Sequence, residues 1–561
     1  MRLVEIAVKN FRGIGATSVS ISFLNSDIIF LIGKNNACKS TVLTAYEYLV
    51  KPKQKATLND FHGYSKKNPI EIEAIFQKET GDEKEFEEKG LNKWVNSTGL
   101  IKFNKVWVDT DSEGQKSTYD PTINRFLEDG FGGFESHFKK HAPTPIVIPA
   151  MPNLEDLSKF VSETIKKTVL KKLSDEEENF CKNFQQRYKE LKENLVSSDK
   201  LKKIEDQANE NFKKIFPELE MSIKPVDEDK FDLLKSLEKE YAVTIKDGHF
   251  NEIEQDILSQ GSGVIRQAMF NFLGLVKETI EDARKDFIIL FEEPEIYLHP
   301  KTISLLKNSL YNLCYKSPFQ VLCASHSPAL IDLSKPHTSL ARLQREARRI
   351  SVYQAGDNLF GINDERKKMV QMNNRFNPHL CEIFFSDDVI LVEGDTEAIV
   401  VRELLEEIEP TADIFVLNTG SKNNIPFFQE ILTHFRIRQH IIHDGDDRYL
   451  EDSTGKTIFN KDGSPRKNSA WELNQSIWDR VVLANNFSSG LSHRYVHIRN
   501  FEQAHNYIYD QSKGKPLSAF EFAKNMERSK SMPIFKFVNQ ILGKLPKDKE
   551  FTPIEIEELI L

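Results

Sequence analysis

The stretch Leu31 to Thr41, "LIGKNNACKST", decides how the N-terminal half of this chain is read. Gly33 is followed, after four intervening residues, by Cys38-Lys39-Ser40, the spacing of the phosphate-cradling loop G-x-x-x-x-G-K-[ST], except that Cys38 stands where the pattern has its last glycine. Upstream, "RLVEIAVKNF" and "TSVSISF" alternate apolar and polar residues as half-buried strands do, and "SDIIFLIG" is the continuous apolar run of a strand buried on both faces. Downstream, "KSTVLTAYEYLV" reads as a helix. The loop therefore sits on a strand-to-helix turn, where backbone N–H groups and the helix dipole favour an anion. A Cβ and a sulfur at position 38 crowd the close approach to phosphate that glycine permits. Nucleotide binding with slow turnover is the expectation.

At 561 residues the chain should divide into about two to four domains. A composition of 39% hydrophobic and 29% charged residues is that of a folded protein. The net charge of −9 excludes an overall basic coat, so any grip on nucleic acid must rest on local patches. Cys38, Cys181, Cys314, Cys323 and Cys381 form no C-x-x-C pair, which argues against a disulfide framework or cysteine zinc site and for the cytoplasm. The N-terminus lacks a signal peptide's apolar core, and no apolar run approaches the roughly 18 residues of a membrane span, so no membrane is involved in this reading.

The chain falls into successive parts. Residues 1–154 hold the loop and its strands. Residues 155–235, with "LSKFVSETIKKTVLKKL" and "EEENFCKNFQQRYKELKENL", are Lys/Glu-rich with helical spacing and read as a helical insertion, either solvated amphipathic helices or a dimerisation arm. Strands and helices resume over 236–356. Residues 357–384 have little periodicity and read as a linker, and a second α/β unit occupies 385–561.

Further segments bear on the loop. "LSQGSG" opens a helix, so Ser262 and the neighbouring N–H groups sit at a helix N-terminus. "FIILFEEPE" ends an apolar strand in Glu292-Glu293, carboxylates able to hold Mg²⁺ and polarise a water. "VLCASHSPAL" ends another strand in Ser325-His326, within reach of a γ-phosphate. Each alone is an ordinary polar cap or surface pair; their order is that of an ABC-type ATPase head. "EEPEIYLHP" and "SHSPAL" resemble the ATPase half of the OLD (overcoming lysogenization defect) nucleases. The resemblance implies that Gly33, Asn36, Lys39, Ser40 and Thr41 bind ATP, with Lys39 and Ser40 at phosphate and Mg²⁺. It implies Glu292 as the metal-side acid, Glu293 as the hydrolytic acid, His326 as the switch histidine, and Ser262 as a group that completes a partner's site in a homodimer.

The C-terminal unit carries acids at strand tips. "VILVEGDTEAIVV" places Glu393 at the end of an apolar strand and Glu397 in the first turn of a helix, where the dipole favours a carboxylate. "HIIHDGDDRYL" ends a strand in Asp444-Gly445-Asp446, whose side chains point the same way in extended chain. These hard oxygen ligands suit Mg²⁺ or Mn²⁺, not zinc. Together the two pieces resemble the Toprim fold of topoisomerases, primases and OLD nucleases, and the upstream head points to the last. In that resemblance Glu502 is the later acid and Lys530 the basic residue at the scissile phosphate. Lys422 in "TGSKNNIPF" is either a backbone contact or a plain surface lysine.

The fold class is thus α/β: an ABC-type ATPase head with a helical insertion, followed by a Toprim α/β domain. The resemblance implies an ATP-gated, metal-dependent DNA endonuclease with two Mg²⁺ or Mn²⁺ ions per site, at least dimeric. Its setting would be a bacterial anti-phage defence system of the Gabija or retron-associated kind. The co-encoded partner would be a helicase-like protein in the first and a reverse transcriptase with its RNA–DNA product in the second. The alternatives are a non-catalytic, ATP-stabilised dimeric scaffold that binds DNA or a partner and, ranked last, primase-like chemistry.

Overall fold

The computed structural model describes residues 1–150, 287–355 and 380–560, apart from short breaks, with a few further residues between 183 and 256. All but a few residues of the helical insertion read over 155–235, most of the 357–384 linker, and Ser262 with its segment lie outside the described residues.

The first strands are β1 (Arg2–Lys9), β2 (Val19–Ser22), β3 (Ile28–Ile32), β4 (Ile70–Gln77), β5 (Leu100–Trp107), β6 (Gln115–Asp120) and β7 (Arg125–Glu128). All but β3 form an antiparallel sheet in the order β2-β1-β4-β5-β6-β7. Alternation sets its faces: in β4, Ile70, Ile72, Ala74 and Phe76 are buried while Glu71 and Glu73 face outward. Lys105 of β5 breaks the apolar rule. Its buried ammonium donates to Tyr48 O and Lys51 O at the end of the helix Lys39–Val50, where a cation meets the negative pole of the helix.

β8 (Thr144–Ile148) follows, then a short antiparallel pair, β9 (Thr244–Lys246) and β10 (Glu254–Asp256). β3 is buried at every position because it lies inside a parallel sheet. β12 (Phe319–Ala324) pairs with it, and β11 (Phe287–Glu292) pairs with β12, all parallel. On the other side of β3 run β13 (Thr338–Glu346), parallel, and β14 (Arg349–Ala355), antiparallel. Leu31 lies opposite Ala324, and Ala324 opposite Glu292. The chain therefore leaves these three strands at one edge, where an open α/β sheet binds its ligands.

Gln320 of β12 ties the two sheets together. Its side-chain amide accepts from Leu3 N at 3.0 Å and donates to Leu3 O at 2.9 Å, at the point where the β1–β4 register shifts between Leu3 and Glu5. The amide satisfies both backbone groups of Leu3 at this irregularity.

The C-terminal sheet is parallel, in the order β16-β15-β17-β18, from β15 (Asp388–Val392), β16 (Ile414–Asn418), β17 (Arg438–Asp444) and β18 (Ser492–His497). Helices Asp395–Ile408, Ile425–His434 and Ser469–Phe487 connect successive strands. The order places β16 and β17 on opposite sides of β15, so the connections diverge at the C-terminal strand ends and open a crevice there. Both parallel sheets belong to one compact unit, Met1–Pro145, Arg284–Tyr315 and Phe319–Leu561; the second unit is Ile146–Ala283 with Lys316–Pro318. Within the first unit, buried Arg342 of β13 donates to Ser386 O and Phe435 O, each at 3.1 Å, and to the Asp387 carboxylate at 2.6 Å. Among the described residues no helix is long and apolar enough to cross a membrane.

Candidate functional site

Two sites stand at the C-terminal edges of the two parallel sheets. The first is the loop after β3. Gly33 has φ +136°, and a Cβ there would lie 2.2 Å from Leu343 O, so no side chain fits. Cys38 caps the helix Lys39–Val50 with φ 68° and ψ 23°, the left-handed conformation that glycine adopts without strain. A non-glycine residue there costs roughly 1 kcal/mol. The sulfur does not stand in the loop's open face: Cys38 is only 8% exposed, and a Cβ on Gly13 would sit 2.4 Å from its Sγ. Gly13, in the turn after β1, provides the space that the extra side chain at position 38 requires.

Lys39 is buried, and its ammonium donates to Gly33 O at 2.8 Å and Lys34 O at 3.0 Å. Burial lowers it to about 8, against the pull of Glu293 and Glu295. Glu293 N donates to Ala324 O at 2.8 Å, and its carboxylate lies 3.7 Å from His326 Nε2. Burial and the nearby Lys39 hold His326 below the ordinary imidazole range. Glu295, which sequence reasoning passed over, accepts from Ser325 Oγ at 3.0 Å and His326 N at 2.6 Å, so it joins the tips of β11 and β12. Glu292 lies on the Glu47 side: burial raises the half-buried Glu47 carboxyl, and the Glu292 charge adds to it. Ser40 is exposed and Thr41 buried in the first helical turn. A buried lysine, a helix N-terminus and acids at neighbouring strand tips fit a nucleotide's phosphates and their cation. Lys34 of the same loop reaches the other sheet, with Asp387 at 2.9 Å before β15 and Asp413 at 2.5 Å before β16. Gly33, Lys34, Asn35, His326, Phe385 and Asp413 line a cavity of about 470 Å³ beside this contact.

The second site is acidic. Glu393 follows β15, and its Oε1 accepts from Asp444 N at 2.8 Å, which holds the tips of β15 and β17 together. Gly445 N donates to His497 O and Asp446 N to Arg499 O, so the D-G-D turn is also pinned to the end of β18. A Cβ on Gly445 would lie 3.1 Å from Ile556 Cγ2 and 3.3 Å from His497 O, so glycine keeps the turn closed. Burial pushes the Glu393 carboxyl up to about 8, with Asp444 adding and Lys422 opposing. Burial likewise raises Glu397 to about 7, with Asp444 and Glu502 adding, and Asp444 to about 7, with Asp446 and Glu502 adding. The fold thus gathers the carboxylates that sequence reasoning named: Glu393, Glu397, Asp444, Asp446 and Glu502.

Lys422 belongs with them. It is 4% exposed, not a surface lysine, and donates to Asp446 Oδ2 at 2.6 Å and Asp444 O at 2.5 Å. Its position on the turn after β16 was the available signal. His497, missed in the sequence because the strand it ends, "SHRYVH", has no apolar run to mark its tip, lies fully buried with Nδ1 3.2 Å from Asp444 Oδ1, and burial lowers it to about 3. A neutral imidazole behind an acid orients it without competing charge. Lys530 is exposed and makes no hydrogen bond or ion pair with these acids among the described residues. The helix that follows it, Pro533–Ile541, is tied toward His497: Ile534 N donates to His505 Nε2 at 3.0 Å, and the His505 ring lies edge-on to His497 at 4.9 Å. The oxygen donor set fits a hard divalent cation. Among the described residues, no three His, Cys, Asp or Glu groups already stand at the spacing of one ion, and it is the Lys422 ammonium that touches Asp446.

Residues 1–331 match the family described as AAA ATPase domain, and residues 384–446 match the TOPRIM domain of overcoming lysogenization defect-like proteins. The chain is 25% identical over 479 residues to the Old nuclease of Escherichia phage P2, covering 80% of this chain and 77% of that protein. It is 24% identical over 446 residues to Endonuclease GajA of Bacillus cereus strain VD045, covering 75% of this chain and 71% of that one. Among solved structures, an Smc head bound to the C-terminal winged-helix domain of ScpA aligns with TM-score 0.39 and 12% identity, over 64% of this chain and 98% of that one.

Proposed function

Because the chain belongs to the AAA ATPase domain family and carries the OLD-like TOPRIM domain behind it, we propose that it is an ATP-gated, divalent-metal-dependent DNA endonuclease. The observation that carries this reading is the grouping of Glu393, Asp444 and Asp446 around buried Lys422 at the C-terminal edge of a parallel sheet, with Glu397 and Glu502 on the Asp444 side. Mg²⁺ or Mn²⁺, two per site when bound, would supply Lewis-acid stabilisation of the attacking and leaving oxygens. Glu393, Glu397, Asp444, Asp446 and Glu502 would hold the cations. His497 fixes Asp444, and Glu393 fixes the backbone of the D-G-D turn, so the acids are oriented before substrate arrives. Lys422 holds the Asp446 carboxylate in place, and Lys530 offers an exposed cation to the scissile phosphate.

ATP would bind at Gly33, Asn36, Lys39, Ser40 and Thr41, with Glu292 on the metal side, Glu293 as the hydrolytic acid and His326 at the γ-phosphate. Lys39 would exchange its loop carbonyls for phosphate oxygens. Lys34 supports a gate, because a loop rearranged by nucleotide would pull on Asp387 and Asp413, at the entries to β15 and β16. The same reading makes the protein a homodimer or larger assembly, with Ser262 completing a partner's site. It places the protein in the cytoplasm as the effector of an anti-phage system with a co-encoded partner. It further divides the chain into 1–154 and 236–356 as the ATPase head, 155–235 as the helical insertion, 357–384 as the linker and 385–561 as the Toprim domain.

The test is cleavage of plasmid DNA with Mg²⁺ or Mn²⁺ and phage restriction by the whole system. Asp444→Ala and Asp446→Ala should each lose orders of magnitude in rate, because each removes a charged ligand from a dication. If both variants fold, express and still restrict like the parent, the scaffold reading replaces this one.

A further inference from the structure

Between Asp447 and Asn468 the chain makes an excursion that the acidic site does not use. Apart from residues 453–455, which lie outside the described residues, the excursion is a built arm. Leu450 N donates to Arg466 O at 2.9 Å, Arg466 N to Ile458 O at 2.8 Å, and Ile458 N to Leu450 O at 2.8 Å, a closed ring of backbone bonds. Bridges Tyr449–Lys467, Glu451–Thr457 and Phe459–Pro465 flank the ring. Both roots are fixed beside the acids. Asp446 N donates to Arg499 O at 2.7 Å, Asn468 N to Arg448 O at 2.9 Å, and the Asn474 amide to Gly445 O at 2.7 Å.

The charges of the arm divide by use. Asp462 accepts from the Ser464 N–H and O–H, Asp452 accepts from Lys456 N, and Asp447 lies 3.6 Å from Arg499 Nε. Glu451 alone of the arm's acids has no partner among the described residues. Lys456, Lys461 and Arg466 form no ion pair among them either, and Lys467 reaches Glu472 only at 3.8 Å. All four cations are exposed, and Phe459, 61% exposed, stands among them. Free cations around an exposed aromatic ring suit a phosphodiester backbone and a base. With its central backbone groups closed into the ring, the arm presents side chains for recognition, not a strand edge for a peptide.

We infer that this arm is the DNA grip of the acidic site: Lys456, Lys461, Arg466 and Lys467 neutralise phosphates of the strand led to Asp444 and Asp446, and Phe459 packs on a base. That DNA is the polyanion rests on the nuclease reading. The test is binding of the full-length protein to a labelled duplex with a single-stranded tail, followed by fluorescence anisotropy in EDTA between about 50 and 200 mM salt. The triple variant Lys456→Gln, Lys461→Gln, Arg466→Gln should bind at least about tenfold more weakly, with the slope of log affinity against log salt reduced by about 2–3. Phe459→Ala should lose roughly 5- to 100-fold in affinity and leave that slope alone. ATP affinity and the urea midpoint should match the parent in both, since these side chains are exposed. Parental affinity and slope in the triple variant would overturn the grip, as would a parent that binds no DNA. If Asp444→Ala still cleaves DNA while the arm variants lose binding, the assignment of the acidic cluster as the cleavage centre falls and the arm's grip on DNA stands.

Discussion

Replacing Gly13 by Ala should damage the phosphate loop from the far side of Cys38, and removing the cysteine side chain should repair the damage. The new Cβ would lie 2.4 Å from Cys38 Sγ, well inside van der Waals contact, and Cys38 is only 8% exposed, so the sulfur has little room to retreat. Overpacking of this kind costs about 1–3 kcal/mol. In a Cys38→Gly background the clash is absent, and the Gly13→Ala change contributes about 0.4–1 kcal/mol of stability by restricting the unfolded chain. The coupling between the two positions should therefore be roughly 1.5–4 kcal/mol. Cys38→Gly alone should be near neutral, because about 1–2 kcal/mol of left-handed strain is relieved while a packed sulfur is lost. The assay is a double-mutant cycle on the urea midpoint, run beside the affinity for a fluorescent ATP analogue. Gly13→Ala should weaken nucleotide binding because it displaces the residue that begins the helix Lys39–Val50, and the double variant should regain it. Additive effects within about 0.5 kcal/mol, or a Gly13→Ala protein that binds nucleotide like the parent, would refute the pairing.

Lys34→Ala should leave the fold intact, since half-exposed ion pairs contribute about 0–1 kcal/mol each, and should uncouple the two sites. DNA cleavage measured with and without ATP should differ in the parent and coincide in the variant; an unchanged ATP response sinks the gate. The pH dependence follows from the acidic cluster. Glu393, Glu397 and Asp444 are raised to about 8, 7 and 7, so between about pH 5 and 8 the native state holds protons that the unfolded chain has released. Stability in EDTA should therefore fall as pH rises through that window, cleavage should rise as the acids ionise, and Mg²⁺ should restore stability most at the alkaline end; a flat thermal-melting profile counts against it. Light scattering with and without ATP should give at least a dimer mass, and a strict monomer in both would leave Ser262 without its proposed role.

Much of this protein is legible locally, for a physical reason. A strand buried on both faces must be apolar until the chain leaves the sheet, so polar chemistry gathers at its tip, as in "LIGKNN", "FIILFEEPE", "VILVEGDTE" and "HIIHDGD". Those tips revealed the loop and the acids by their order and spacing alone. The structure decided what depends on neighbours across space. Only the packing of the turn after β1 against the loop after β3 shows that Gly13 makes room for Cys38. Only the sheet order β16-β15-β17-β18 carries Lys422 from the end of one strand to Asp446 at the end of another and places His497 behind Asp444. Lys34 looks like any exposed loop lysine until the second sheet brings Asp387 and Asp413 to it. Sequence periodicity reports which face of an element is buried; which element covers that face, and what charge it brings, is settled by the tertiary fold.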